Sequence, residues 1–300
     1  VAVREGDQWK AGNQMGQARL KQSALFTSDV IAEWESEECV NFAVALARTT
    51  KWLLHVDWWV PSIDPNNNIP FEMCKPLRVY VADNQYDVFD VRGIRKVFSF
   101  HLRTIRQLAE RYGRGSVRTC YYSETRLATA PLLNGPDELK IERAALLIQQ
   151  NAAYLAAIPK RVLPLIPAYQ AADFAYGRCV PYAEALFEMT GLMPVALMAE
   201  SFAPEFVGTR TGDNGYVHSV VLHADGMGED SWGKAPLAEI AGRLGVTQFR
   251  VGREEHQKAV KNLKRNSPDE YKTAFDEAKA VINQYCLPTP SIRFSEWIGG

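Results

Sequence analysis

The stretch Cys39-Val40-Asn41-Phe42-Ala43-Val44-Ala45-Leu46 returns 140 residues later as Cys179-Val180-Pro181-Tyr182-Ala183-Glu184-Ala185-Leu186. Both read Cys, Val, any residue, an aromatic, Ala, any residue, Ala, Leu. Without a gap, the same offset sets Arg78 over His218, Val81 over Val221, Asp90 over Asp230 and Gly93 over Gly233. After a short length change the likeness resumes, Ile105 to Gly113 matching Leu237 to Gly245. A gapless match at so many chemically distinct positions reads as an internal duplication.

Each copy has the same order of elements. Cys39 to Arg48 and Cys179 to Met189 carry apolar residues at helical spacing, and Thr190-Gly191 supplies a C-cap for the second. Trp52 to Val60 and Met193 to Met198 read as strands, as do Leu77 to Ala82 with Asp87 to Val91, and Tyr216 to His223 with Glu229 to Trp232. Asp225-Gly226 marks a turn. A helix and a short strand (Ser116 to Tyr122; Thr247 to Val251) close each copy.

The fold class expected is therefore α+β: two tandem units, each a helix followed by an antiparallel sheet, with a connecting helix and C-terminal helices. The first unit spans 18–135, the linker with its helix (Pro136 to Ala157) 136–165, and the second unit 166–300. Glu254 to Arg265 and Pro268 to Tyr285 read as helices, Ile292 to Ile298 as an edge strand.

The 300 residues are 47% hydrophobic and 23% charged, a composition that excludes wholesale disorder, collagen and coiled coil. A net charge of -1 leaves no electrostatic footprint for nucleic acid or an anionic membrane. No run of about 18 apolar residues is present. Val1 to Gln17 is polar, so the expected location is cytoplasmic, with signal-independent export or virion packaging left open. Five scattered cysteines, an odd number, argue against a disulfide framework. No Walker or dinucleotide fingerprint occurs, and no cofactor or metal is implied.

Cys179, His218 and Asp230 have the composition of a thiol centre. A cysteine at a helix N-terminus faces unpaired N–H groups and the positive end of the dipole, which favour thiolate. A histidine can take the proton, and an aspartate on its second nitrogen fixes tautomer and orientation. The backbone N–H of Cys179 is a natural oxyanion donor. In the first copy the equivalents are Cys39, Arg78 and Asp90. A guanidinium cannot act as base, so Arg78 is expected to pair with Asp90 and the copy to be degenerate.

Gly177-Arg178-Cys179 opening a helix, followed by His218 on a strand, the Asp225-Gly226 turn and Asp230-Ser231-Trp232-Gly233, resembles the papain-like superfamily of cysteine hydrolases and transferases in its NlpC-type and transglutaminase-like branches. The likeness covers Gly177 to Gly233. It implies Cys179 as nucleophile, His218 as base and Asp230 as orienting residue. The chemistry implied is acyl transfer on a protein or peptide, of peptidase, amidase, deamidase or transglutaminase type. Gln170 is the nearest glutamine upstream for the auxiliary oxyanion role. The rival reading is a non-enzymatic binding or virion-type structural protein. A bacterial or phage effector would suit a duplicated module with a pseudoenzyme half, the first unit serving as a partner-docking surface.

The other candidates carry plainer expectations. Trp34, Trp52, Trp58 and Trp59 read as core or interface. Cys74, Cys120 and Cys286 read as structural, and Lys258, Lys261, Lys264 and Arg265 as a solvated face. His223 reads as a hairpin residue, and His101 and His256 as helical histidines without a visible partner. Glu33, Glu35, Glu37 and Glu38 suit a helix start through the dipole and oppose thiolate formation at Cys39.

Overall fold

The chain divides between residues 161 and 162 into two compact units. The computed structural model describes residues 26–36, 38–62, 69–163, 166–204 and 215–286. The polar loop at 65–68, most of the loop at 208–215 and the expected strand at 292–298 lie outside them.

In the first unit, α1 (Ser28–Glu35) is capped by the Thr27 hydroxyl, and α2 (Cys39–Thr50) follows. Every residue from Val40 to Leu46 is buried, which the dense Ala/Leu/aromatic pattern dictates. Strands β1 (Leu53–Val60), β2 (Lys75–Ala82), β3 (Asp87–Asp90), β4 (Gly93–Lys96) and β5 (Ser116–Tyr122) form one antiparallel sheet in the order β4-β3-β2-β1-β5. Helix α3 (Val97–Phe100), a π-helical turn (His101–Ile105) and α4 (Arg106–Glu110) join β4 to β5. Helices α5 (Glu124–Ala128), α6 (Glu138–Gln150) and α7 (Ala152–Ala157) complete the unit.

The second unit begins with α8 (Ala168–Tyr176) and α9 (Cys179–Thr190), then β6 (Met193–Phe202), β7 (Tyr216–Leu222), β8 (Gly228–Asp230) and β9 (Gly233–Ala235). Helix α10 (Leu237–Arg243), β10 (Val246–Gly252), α11 (Arg253–Asn266) and α12 (Pro268–Tyr285) follow. Its sheet runs β10-β6-β7-β8-β9. In both units the first strand lies between the second and the fifth, the third joins the second, and the fourth is at the edge.

The sheets share a finer mark. Asp57 faces Arg78 and Trp58 faces Pro76, so Leu77 is extra; Leu197 faces His218 and Met198 faces Tyr216, so Val217 is extra. Each β-bulge reverses the alternation of the strand carrying it. Helices α2 and α9 also end alike, at Lys51 (φ 63°) and Gly191 (φ 75°), whose N–H groups bond Ala47 and Phe187 carbonyls.

Two expectations are corrected. The segment 136–157 is two helices, because Asn151 leaves helical geometry and its side chain caps the N–H of Tyr154 at 3.1 Å. These helices belong to the first unit and are not a free linker: the Asn41 side chain of α2 accepts the Asp137 N–H at 2.8 Å, and the Tyr154 hydroxyl reaches the Asp90 carbonyl at 2.9 Å. The pattern also gave no warning of α8, β4 or β9, the last two being only four and three residues long.

Candidate active site

Cys179 is the first residue of α9, and no side chain caps the N-cap Arg178. The first-turn N–H groups are thus left without a side-chain partner from the N-cap, and the thiol at that end is half-buried. His218 lies on β7 and Asp230 on β8. Val221 faces Glu229 across these strands, so the next pair inward puts Asp230 on the same face as Val220 and His218. His218 Nε2 stands 3.1 Å from Asp230 Oδ2, with both side chains almost wholly buried. The other Asp230 oxygen accepts the Trp232 N–H at 2.8 Å and faces Arg243 Nη1 at 3.4 Å.

With Nε2 held by the carboxylate, His218 Nδ1 remains. It is buried and has no hydrogen-bond partner among the described residues, while Cys179 exerts the strongest charge effect on the ring. Burial alone lowers the imidazole; the Cys179 sulfur and Asp230 overcome this and raise it to about 10. For Cys179, burial pushes the thiol up, but the His218 charge, with hydrogen bonds from Tyr216 and the Ser219 backbone, more than offsets it. The net direction is down. Both shifts favour a thiolate–imidazolium pair at neutral pH.

Sequence reasoning did not find the rest of the cluster. Cys179 Sγ lies 3.4 Å from Tyr216 Oη, and Tyr216 Oη lies 2.9 Å from Ser219 Oγ. Ser219 Oγ is 2.8 Å from His256 Nδ1, and His256 Nε2 is 2.9 Å from Glu184 Oε1. His256 thus has two partners and is only 1% exposed, contrary to the expectation for it. Its burial beside Val260, one turn on, follows from the apolar stripe of α11, whose opposite face carries the exposed Lys258, Lys261 and Arg265, while exposed Lys264 holds its ammonium 4.9 Å from the Tyr271 ring. Arg243, 5% exposed, was also missed.

The same positions of the first unit behave oppositely. Arg78 is buried, with Nη2 3.3 Å from Asp90 Oδ2 and 3.5 Å from a Glu35 oxygen, and it also donates to the Glu35 carbonyl. Arg95 adds a second cation on Asp90. Burial pushes the Cys39 thiol up, and Arg78 offsets this only in part. The acids before Cys39 are held by ion pairs, Glu33 with Arg143, Glu35 with Arg92 and Glu38 with Lys140. Desolvation, more than their charge, keeps that thiol protonated; Glu37 lies outside the described residues.

The remaining candidates fall out simply. Gln170 sits exposed on α8. His223 bonds Glu229 across the hairpin at 2.6 Å, over the Asp225-Gly226 turn. Cys74, Cys120 and Cys286 are free thiols raised by burial. Trp34, Trp52 and Trp58 are core, and half-buried Trp59 packs on Tyr112. Among the described residues no helix is long and apolar enough to cross a membrane. No family model, curated protein or solved structure matches the chain.

Proposed function

We propose that the second unit is a papain-like cysteine centre for acyl transfer, acting through a thioester at Cys179. The observation that carries this reading is the buried His218–Asp230 pair, whose second ring nitrogen is left for Cys179. The Cys179 thiolate attacks an acyl carbon, forming the C–S bond as the carbonyl π electrons move to oxygen. The first-turn N–H groups of α9 supply donors for that oxyanion. As the tetrahedral intermediate collapses, His218 Nδ1–H gives its proton to the departing amine and the C–N bond breaks. Neutral His218 then takes a proton from water, or from an acceptor amine, which displaces the thiolate. Asp230 holds the imidazole orientation throughout. Peptidase, amidase, deamidase and transferase differ only in the acyl donor and in this final acceptor.

The first unit is read as a degenerate copy, since the shared strand order and bulge accompany Arg78 at the position of the base. A protein or peptide substrate and a docking partner for the first unit belong to this proposal. Activity-based labelling with a peptide-like thiol electrophile tests it. Stoichiometric modification at Cys179, lost in Cys179→Ser and slowed in His218→Ala, is the expected result. Labelling that is slow and indifferent to His218 would leave a non-enzymatic scaffold.

A further inference from the structure

We propose that Tyr216 is a catalytic hydrogen-bond donor to the Cys179 sulfur, and that Ser219, His256 and Glu184 are positioning residues that fix the direction in which it donates. This rests on the acyl-transfer reading of Cys179. The four contacts of 3.4, 2.9, 2.8 and 2.9 Å form one unbranched line from sulfur to carboxylate.

Donor counting sets the direction. A thiolate has no proton, so Tyr216 must donate to it. The Tyr216 oxygen is then left to accept from the Ser219 hydroxyl, and the Ser219 oxygen from His256 Nδ1–H. At the far end Glu184 as a carboxylate only accepts, so His256 Nε2 also carries hydrogen. The thiolate therefore goes with a doubly protonated His256 paired to Glu184. If His256 held one proton, on Nε2, both hydroxyls would turn around. Tyr216 would then accept from a Cys179 thiol, favouring the unreactive form. His256 bonds Glu184 of α9 and Ser219 of β7; Tyr216 of β7 stands next along the line, and Tyr271 of α12 feels the Glu184 charge.

The fold does not need this line. At the offset of 140 residues, Tyr216, Ser219 and Glu184 correspond to Pro76, Val79 and Val44, and the first unit builds the same sheet with those apolar residues. Retaining polar groups in a core is costly unless each is satisfied. Here they lead to the one thiol that is pulled down. Ser219 is 1% exposed, which denies it a nucleophile's access to substrate.

The test is the second-order rate of iodoacetamide alkylation at Cys179 in the full chain, resolved by mass spectrometry across pH 5–10. Tyr216→Phe keeps the ring and removes the donor. A hydrogen bond to a charged group supports an acid limb moved up by about one pH unit, so that labelling slows about 10-fold at pH values on that limb. Glu184→Gln should slow labelling in the wild-type background and change nothing further in Tyr216→Phe, the signature of one connected line. Additive effects, or no change in Tyr216→Phe while His218→Ala still slows labelling, overturn the relay and leave the triad standing. Faster labelling in Tyr216→Phe reverses the direction of donation and overturns the assignment. Indifference to His218→Ala would instead defeat the acyl-transfer reading itself. Circular-dichroism melts show whether each variant is folded; should Glu184→Gln fail to fold, Ser219→Ala replaces it in the cycle.

Discussion

Removing the His218 imidazole should convert Cys179 from an activated to an inert thiol, by an amount that can be worked from its surroundings. His218 supplies the main charge that pulls the thiol down against its burial. In His218→Ala the thiol returns at least to the ordinary value of about 8.5, where only about 3% is ionised at pH 7. Burial, no longer offset, pushes it further up. A wild-type thiol fully ionised at pH 7 would lose about 30-fold of its thiolate by this step. A higher-pKa thiolate is intrinsically more nucleophilic, which returns part of this. The expected drop in the alkylation rate is about 10- to 30-fold at pH 7, narrowing only as pH rises toward the ionisation of the variant's buried thiol. Cys39 in the same molecule is an internal control, since burial pushes its thiol up. Wild-type Cys179 reacting no faster than Cys39 at pH 7, or a His218→Ala rate ratio independent of pH, would refute the reasoning.

Further outcomes are expected. In an NMR titration His218 should change charge near pH 10, and well below that in Cys179→Ala, because burial alone lowers the ring and the sulfur is the largest factor raising it. Because Cys179 is lowered while His218 is raised, their proton linkages oppose each other at neutral pH, and the stability that the imidazolium confers should be lost in wild-type thermal melts only as pH rises toward about 10. Arg78→Met strips a buried cation from Asp90 and Glu35 and should cost the first unit about 3 kcal/mol in urea unfolding. Lys51→Gly relieves a left-handed cap at φ 63° and should stabilise that unit by about 1 kcal/mol in the same assay.

What the sequence disclosed was whatever leaves a local or periodic trace. Helices α2, α9 and α12 and the long strands followed from apolar spacing, and β5 and α12 matched residue for residue. The Arg78–Asp90 pair was legible because the offset put a cation where a base was wanted. The line to Glu184 was hidden for two physical reasons. Its third link joins β7 to a histidine 37 residues on in a charged helix, a proximity that only tertiary packing creates. The alternation of β7 was also misleading, since regular pleating would set Tyr216 beside His218 and away from Ser219. Ala196 faces Ser219 and Met198 faces Tyr216, so the extra Val217 puts those two on one face and His218 on the other.

That inserted residue has a consequence for how the two halves could diverge. A proline within a regularly paired strand removes a ladder bond and is normally confined to edges and bulges. Next to the bulge, at a point where β2 is paired only to β1, Pro76 is accommodated at the position held by Tyr216 in the other half. The irregularity makes this one site exchangeable without disturbing the register on either side. A single residue change there adds or deletes a hydroxyl at that point of the strand while the architecture stays as it is.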